Sequence, residues 1–351
     1  MKNVLYVIED KNSAQFRYRV ENFVEAFREN KNFGVEYALK TELGGLNLEE
    51  YSLVVIARQT AKDNVLLKLI RRAHEKKLKV LFDLDDLVFD YRDLKLVFDS
   101  VREKNLFYWI GYFWGIRRIA KRVDGFLCTN EYLGRKLKRT FKKPYKVILN
   151  SLNKKQVEVA EKLIKQKSVE RNVFSIGYFS GTKTHQKDFK IVEPELVKFL
   201  RDYDDTFLMV VGFMKFSKEM KKLIEKGRVK IVKKVDYLSL LDLVASVDVN
   251  IAPLVVNDFT NCKSELKFFE AAAVETTTIA SPSYTFKKAI KDGKNGFLAQ
   301  PGEWYSKLEY LYKHPEENKK IAKQAREYAL KHYYGKEFLK EVEVAYDYFA
   351  K

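Results

Sequence analysis

Short apolar runs of β character alternate with amphipathic helical stretches along almost the whole chain, and this alternation constrains the fold most. In the first half the runs fall at residues 4–8, 35–39, 53–57, 79–82, 125–128 and 147–149, with helix-like patterns at 19–28, 64–76, 104–122 and 131–140. A charged helical stretch at 153–171 reads as a link. A second series follows, with runs at 174–179, 207–211, 229–232, 247–252 and 277–280 and helical patterns at 187–201, 218–226, 239–245 and 263–273. Parallel strands need crossover connections, and helices supply them, so the pattern predicts mostly parallel sheets wound on both faces. The expected architecture is α/β: two Rossmann-like domains, at 1–152 and 153–335, facing one another across a cleft. The tail from 304 to 351 reads as helices only, and a last helix at 336–351 is able to pack back on the first domain.

At 351 residues, with 46% hydrophobic and 14% aromatic content, the chain suits two α/β cores and excludes disorder. Its net charge of +18 is spread evenly: 30 Lys+Arg stand against 20 Asp+Glu in the first 150 residues, and 36 against 28 in the rest. With no basic tail, nucleic acid is not expected as a partner. The charge favours anionic partners in general, among them nucleotide diphosphates, anionic membranes and lipid-diphosphate acceptors. Two cysteines, Cys128 and Cys262, form neither a disulfide framework nor a zinc site. The sequence runs from Met1 straight into a strand, and no run of about 18 apolar residues occurs. These readings lead to an expected cytoplasmic location, with attachment to the inner face of the membrane as the variant.

Two stretches carry the chemistry. In the first, Asn261-Cys262-Lys263-Ser264-Glu265-Leu266-Lys267-Phe268-Phe269-Glu270, a polar loop enters a helix predicted to start near Lys263, with Ser264 near its N-cap. Backbone N–H groups, a partial positive dipole and an ammonium gather there, which suits a phosphate. Glu270, about two turns on, is suited to accept hydrogen bonds from a ribose. A diphosphate on the loop and a ribose on the helix describe a nucleotide-diphosphate-sugar site. The bland alternative is a polar helix start with Glu270 in solvent. The second stretch is Tyr178-Phe179-Ser180-Gly181-Thr182-Lys183-Thr184-His185-Gln186-Lys187-Asp188-Phe189. Gly181 would let a ligand approach the backbone and Thr182 could donate to an oxyanion, while Lys183 and Lys187 could neutralise a departing diphosphate. An ordinary strand-to-helix turn, capped by His185 or Asp188, is the alternative.

Together these two stretches resemble the sugar-nucleotide half of GT-B glycosyltransferases, most nearly the bacterial family 1/family 4-like enzymes of surface-polysaccharide assembly. The resemblance spans most of the chain in element order, but its specific motifs lie in the C-terminal half. It implies a retaining, metal-independent enzyme with no cofactor. By it, Glu270 matches the second glutamate of an E-x7-E pattern that holds the ribose. Lys263 and Ser264 match the diphosphate loop, and Lys187 or Lys183 the basic residue after the first strand of the C-terminal domain. Gly181, Thr182 and His185 complete the expected donor set. The first glutamate of the pattern falls on Cys262, a departure that leaves sugar identity and stereochemical outcome open; Glu265 could take over part of its role.

In the first half, Arg17 and Arg19 follow the first strand and could meet a phosphate, or could simply open a solvated helix. Asp83-Leu84-Asp85-Asp86 follows another strand. Asp85 and Asp86 could bind an acceptor hydroxyl or act as a base, an Asp-x-Asp could hold a metal, or these are surface carboxylates. Residues 105–122 carry six aromatics and four basic side chains with no acid, and suit either a domain core or an anionic membrane surface. Four scattered histidines give no metal spacing. No Walker loop, G-x-G-x-x-G or Ser-His-Asp order supports a kinase, dinucleotide oxidoreductase or hydrolase. The reading is a glycosyltransferase moving a sugar from a nucleotide-diphosphate donor to a glycan or lipid-linked glycan. Lys263, Lys187, Asp85 and Asp86 are its expected catalytic residues. The rival is a non-catalytic nucleotide-sugar-binding or scaffold protein of an assembly complex.

Overall fold

The computed structural model describes residues 1–101, 104–166, 173–180 and 186–350. They form two compact units. The first comprises Met1–Lys154, Asn261–Ser264 and His332–Lys351; the second comprises Lys155–Thr260 and Glu265–Lys331.

The first unit is built on six parallel strands: β1 (Lys2–Ile8), β2 (Phe33–Leu39), β3 (Leu53–Ala57), β4 (Lys79–Leu84), β5 (Gly125–Cys128) and β6 (Tyr145–Val147), in the order β2-β1-β3-β4-β5-β6. Every residue of β3 and β5 is buried. Both faces are covered, which is why these strands read as unbroken apolar runs rather than alternating ones. The helix Val65–Glu75 buries Leu66, Leu69, Ile70 and Ala73, one face at helical spacing, and the chain leaves it through Lys77 at φ +59°. Asn130 caps the helix Glu131–Phe141 by accepting from the Leu133 N–H, and Lys142 ends it in the left-handed conformation. The last helix, Gly335–Phe349, lays Phe338, Val342, Ala345, Tyr346 and Phe349 into the core of this unit beside Phe23, Phe27 and Phe33. The buried hydroxyls of Tyr6 and Tyr346 meet at 2.9 Å.

The helix expected at 19–28 is broken into a π turn at Arg17–Glu21 followed by Asn22–Ala26. The wide turn is the one that carries Arg19 into the interior, where a regular amphipathic helix would hold an apolar side chain.

The second unit holds β7 (Phe174–Phe179), β8 (Thr206–Val211), β9 (Val229–Val232), β10 (Val249–Ala252), β11 (Thr277–Ala280) and β12 (Phe297–Leu298). All pairings are parallel and the order is β12-β11-β10-β7-β8-β9. Numbered within the unit and read from the other edge, this is 3-2-1-4-5-6, the doubly wound order whose ligand crevice opens where β7 and β10 diverge. The two-residue β12 was not expected from the sequence, because so short a run has no readable period. Gly212 closes β8 at φ +101°, where an added Cβ would lie 2.0 Å from the Ser180 carbonyl oxygen. Gly212→Ala should therefore destabilise the protein by about 2–4 kcal/mol, from the left-handed backbone and the clash together. A urea midpoint unchanged from wild type would refute this.

Candidate active site

In the first unit the chemistry begins with register. β3 and β4 pair with Ala57 opposite Asp83, so the residues leaving their carboxyl ends, Arg58 and Asp85-Asp86, emerge side by side. The Arg58 Nε lies 2.6 Å from Asp85 Oδ1, and its Nη1 3.5 Å from Asp86 Oδ2. Lys263 donates from Nζ to Asp86 Oδ1 at 2.6 Å. Burial works against the charge on Asp86, but Lys263 and then Arg58 overcome it and hold the carboxyl below its ordinary range. Burial likewise opposes the Arg58 charge, and Asp85, followed by Tyr112 and Asp86, more than restores it. The result is a half-buried quartet of two carboxylates and two cations. A carboxylate held this acidic is a weak proton acceptor, so Asp86 is better suited to hold Lys263 than to act as a base.

The segment that carries Lys263 is fixed from several sides within this unit. The Asn130 side chain donates to the Cys262 carbonyl at 2.9 Å, and Asn150 Nδ2 donates to Ser264 Oγ at 2.9 Å. Ser264 thus meets Asn150, and the helix expected from Lys263 starts only at Leu266, with no side-chain cap bond at Glu265. The Ser264 N-cap expectation is corrected accordingly.

Arg19 is corrected too. It is 1% exposed, grips Asp83 through Nε and Nη2 at 2.9–3.2 Å and donates from Nη1 to the Ile148 carbonyl at 2.5 Å. Its role is internal. Arg17 stacks its guanidinium over the Tyr18 ring at 4.4 Å and donates to the Tyr18 hydroxyl. The Asp-x-Asp is split, Asp83 facing Arg19 and Asp85 facing Arg58. Among the described residues no group of three His, Cys, Asp or Glu is arranged to hold a metal.

In the second unit β7 runs into Ser180 beside β10. Gly181, Thr182, Lys183 and His185 lie outside the described residues. Lys187 is exposed on the first turn of the helix Gln186–Asp202. Its buried neighbour Asp188 accepts from the Val255 N–H at 2.9 Å, tying this helix to the loop after β10. The helix Leu266–Ala273 packs through Phe268, Phe269 and Ala271–Ala273 and carries Glu270, half-buried, with Gln156 Nε2 at 3.5 Å from its carboxylate. Glu265, immediately before it, is buried.

Lys267 on this helix was not singled out from the sequence. Its stem is partly exposed, but its Nζ is sealed from solvent and no described residue accepts a hydrogen bond from it. The ammonium stands 4.8 Å from the centre of the Tyr178 ring on β7. Burial lowers its pKa to about 8, with Asp188 pulling weakly the other way. An unmatched cation beside the switch-point strand is suited to an arriving anion. Its signal in the sequence was a lysine set among Leu266, Phe268 and Phe269; Arg58, also missed, directly follows an all-apolar strand.

The structure thus brings Lys263 together with Asp85, Asp86 and Arg58 in the first unit, and holds Ser264 on Asn150. In the second it carries Lys267 and Glu270 on one helix, with Glu265 just before its first turn.

Residues 170–314 match the sequence profile of the family described as glycosyl transferases group 1. Comparison with curated proteins finds no match to the sequence. Among solved structures, Anabaena HepE in complex with UDP and glucose superposes with a TM-score of 0.62 at 15% identity, covering 99% of both chains. A Rickettsia africae glycosyltransferase gives 0.68 at 15% identity over 100% of this chain and 99% of the other. WaaG, a glycosyltransferase involved in lipopolysaccharide biosynthesis, gives 0.60 at 12% identity over 99% of both. At these identities the likeness is one of fold.

Proposed function

From a group 1 glycosyltransferase domain at residues 170–314, within a chain of GT-B fold, we propose that this protein transfers a sugar from a nucleotide-diphosphate donor to a glycan or lipid-linked glycan. The carrying observation is that the domain matching this family is the unit with the 3-2-1-4-5-6 sheet, and the helix bearing Lys267 and Glu270 brings a buried ammonium without a hydrogen-bond acceptor against its switch-point strand β7. The nucleotide-sugar side is 153–335, the acceptor side 1–152, and 336–351 a helix belonging with the latter. Lys267 joins Lys187, Lys183, Gly181, Thr182, His185, Lys263 and Ser264 in holding the diphosphate. Glu270 accepts from the ribose, Glu265 lies toward the donor sugar, and Arg17 contributes from the acceptor side. Bond breaking puts negative charge on the leaving diphosphate, and fixed ammonium groups stabilise that charge more in the transition state than before it. The reaction is read as retaining and independent of a metal, with Asp85 and Asp86 orienting Lys263.

A thermal-shift screen against UDP, GDP, dTDP and CDP and their sugars, followed by transfer assays with the stabilising donor, tests this reading. No stabilisation by any nucleotide sugar would refute it. Cys262, standing where the family pattern has glutamate, favours the rival reading of a non-catalytic binder in an assembly complex. Binding without either donor hydrolysis or transfer would select that rival.

Lys267 supplies a pH test. Between about 8 and the ordinary lysine value of about 10.4, the unfolded chain holds a proton that the folded one releases. The nucleotide-free protein should therefore gain stability as pH rises through that window, and Lys267→Met should abolish the gain. Nucleotide diphosphate, by favouring the charged form, should bind with proton uptake near pH 8 and weaken above it. Calorimetry in buffers of different ionisation enthalpy reads the uptake, and zero uptake would remove Lys267 from the site.

A further inference from the structure

The aromatic stretch of the first unit forms one helix, Leu106–Ala120, opened by Asn105, whose side chain accepts from the Tyr108 N–H. Trp109, Phe113, Ile116 and Ile119 are buried, which accounts for half of its apolar content. The other half faces solvent: Phe107 is 83% exposed and Trp114 52%, with Leu106, Tyr108 and Ile110 about as open as an ordinary surface side chain. At 100° per residue, Phe107, Ile110 and Trp114 share one stripe of roughly a third of the circumference, and Arg118, Lys121 and Arg122 continue it. Gly111 lies within it, and an added Cβ there would meet nothing within 4 Å. Among these charged positions only cations occur; Arg118 lies over the Trp114 ring at 4.6 Å and donates to the Ala61 carbonyl at 2.6 Å and to Asn64 Oδ1 at 2.7 Å, which leaves Lys121 and Arg122 as the exposed cations.

An apolar tip followed by a basic end on one helical face matches a boundary that is hydrocarbon on one side and phosphate on the other. Aromatic rings settle at the headgroup level and the guanidinium and ammonium groups reach the phosphates. A second copy of the chain is a poor occupant, since it would bring another +18 against the same surface. Among the described residues no helix is long and apolar enough to cross a membrane, so the contact would lie in the interface plane. We infer that the outer face of Leu106–Ala120, through Leu106, Phe107, Ile110 and Trp114 with the exposed Lys121 and Arg122 at its end, docks the protein on an anionic lipid bilayer. This goes beyond the donor chemistry and does not depend on it.

The test is co-sedimentation of the full chain with vesicles of phosphatidylcholine alone and of phosphatidylcholine mixed with phosphatidylglycerol. The expected result is binding to the mixed vesicles that weakens with salt, and quenching of tryptophan emission by brominated acyl chains, since Trp109 and Trp304 are buried. Phe107→Ser with Trp114→Ser should lower the bound fraction at least about tenfold, and Lys121→Glu with Arg122→Glu should remove the preference for anionic lipid. Circular dichroism and melting temperature close to wild type would establish that both variants fold. Wild-type protein remaining in the supernatant with anionic vesicles would overturn the inference. So would folded variants that pellet like wild type, or a face whose substitution changes only the oligomeric state. None of these results bears on donor binding, which is read separately.

Discussion

Lys263→Ala should lower turnover about 100- to 1000-fold, the range found when one preorganised donor to a developing negative charge is removed. The ammonium is the most exposed member of the quartet around Asp86, with 37% of its side chain open against 19% for Asp86. It can therefore reach a ligand, while Asp86, Asn130 and Asn150 fix the backbone and tip that present it. Losing a half-exposed ion pair costs the fold less than about 1 kcal/mol, so the variant should melt close to wild type. The loss should appear in kcat more than in KM, because the charge on the diphosphate grows as the glycosidic bond breaks. Lys263→Arg should recover part of the rate, as it keeps the charge but not the point geometry. Near-normal kcat for the alanine variant with its true donor would remove Lys263 from the reaction and leave it a structural partner of Asp86.

The elements that were legible in the sequence are those whose evidence is local. β3 and β5 are apolar throughout because both faces of a parallel sheet are covered, and Val65–Glu75 shows one apolar stripe because only one face is covered. The candidate site was legible only in part, because its side chains are satisfied by residues far along the chain. Residues 263–265 carry no helix breaker and read as a helix start, yet Ser264 meets Asn150 and Lys263 meets Asp86, contacts that no periodicity records. The same holds for Asn261–Ser264 as a whole, which groups with the first unit although the sequence on either side of it belongs to the second. Lys267 was hidden for a different reason: a lysine beside apolar residues reads as a solvated position, and only the fold reveals a sealed ammonium. Arg19 was misjudged in the opposite sense, its charge suggesting a ligand where the interior already held Asp83.

That buried pair carries the largest expected effect on stability. Arg19→Met or Asp83→Asn should destabilise the protein by about 3–5 kcal/mol, because each leaves its partner's polar groups in the interior without their match. Arg19 and Asp83 are 1% and 0% exposed, and the guanidinium also donates to the Ile148 carbonyl and, at 3.3 Å, to Asn150 Oδ1. Burial opposes the Arg19 charge, and Asp83 more than compensates, holding the guanidinium above its ordinary range. Replacing both with apolar side chains of similar volume should cost less than the sum of the single changes, since no charge is then stranded. Urea unfolding followed by circular dichroism measures this, and single-variant losses under about 1 kcal/mol would refute the argument. A functional effect should accompany the structural one. Asp83 lies on β4 two residues before Asp85, and Asn150 bonds both Arg19 and Ser264, so the pair anchors the ends of the Lys263 quartet. Asp83→Asn should therefore lower turnover even below its unfolding midpoint, through misplacement of Asp86 and Lys263. A variant that is destabilised yet transfers sugar at the wild-type rate while folded would confine Arg19 and Asp83 to the core.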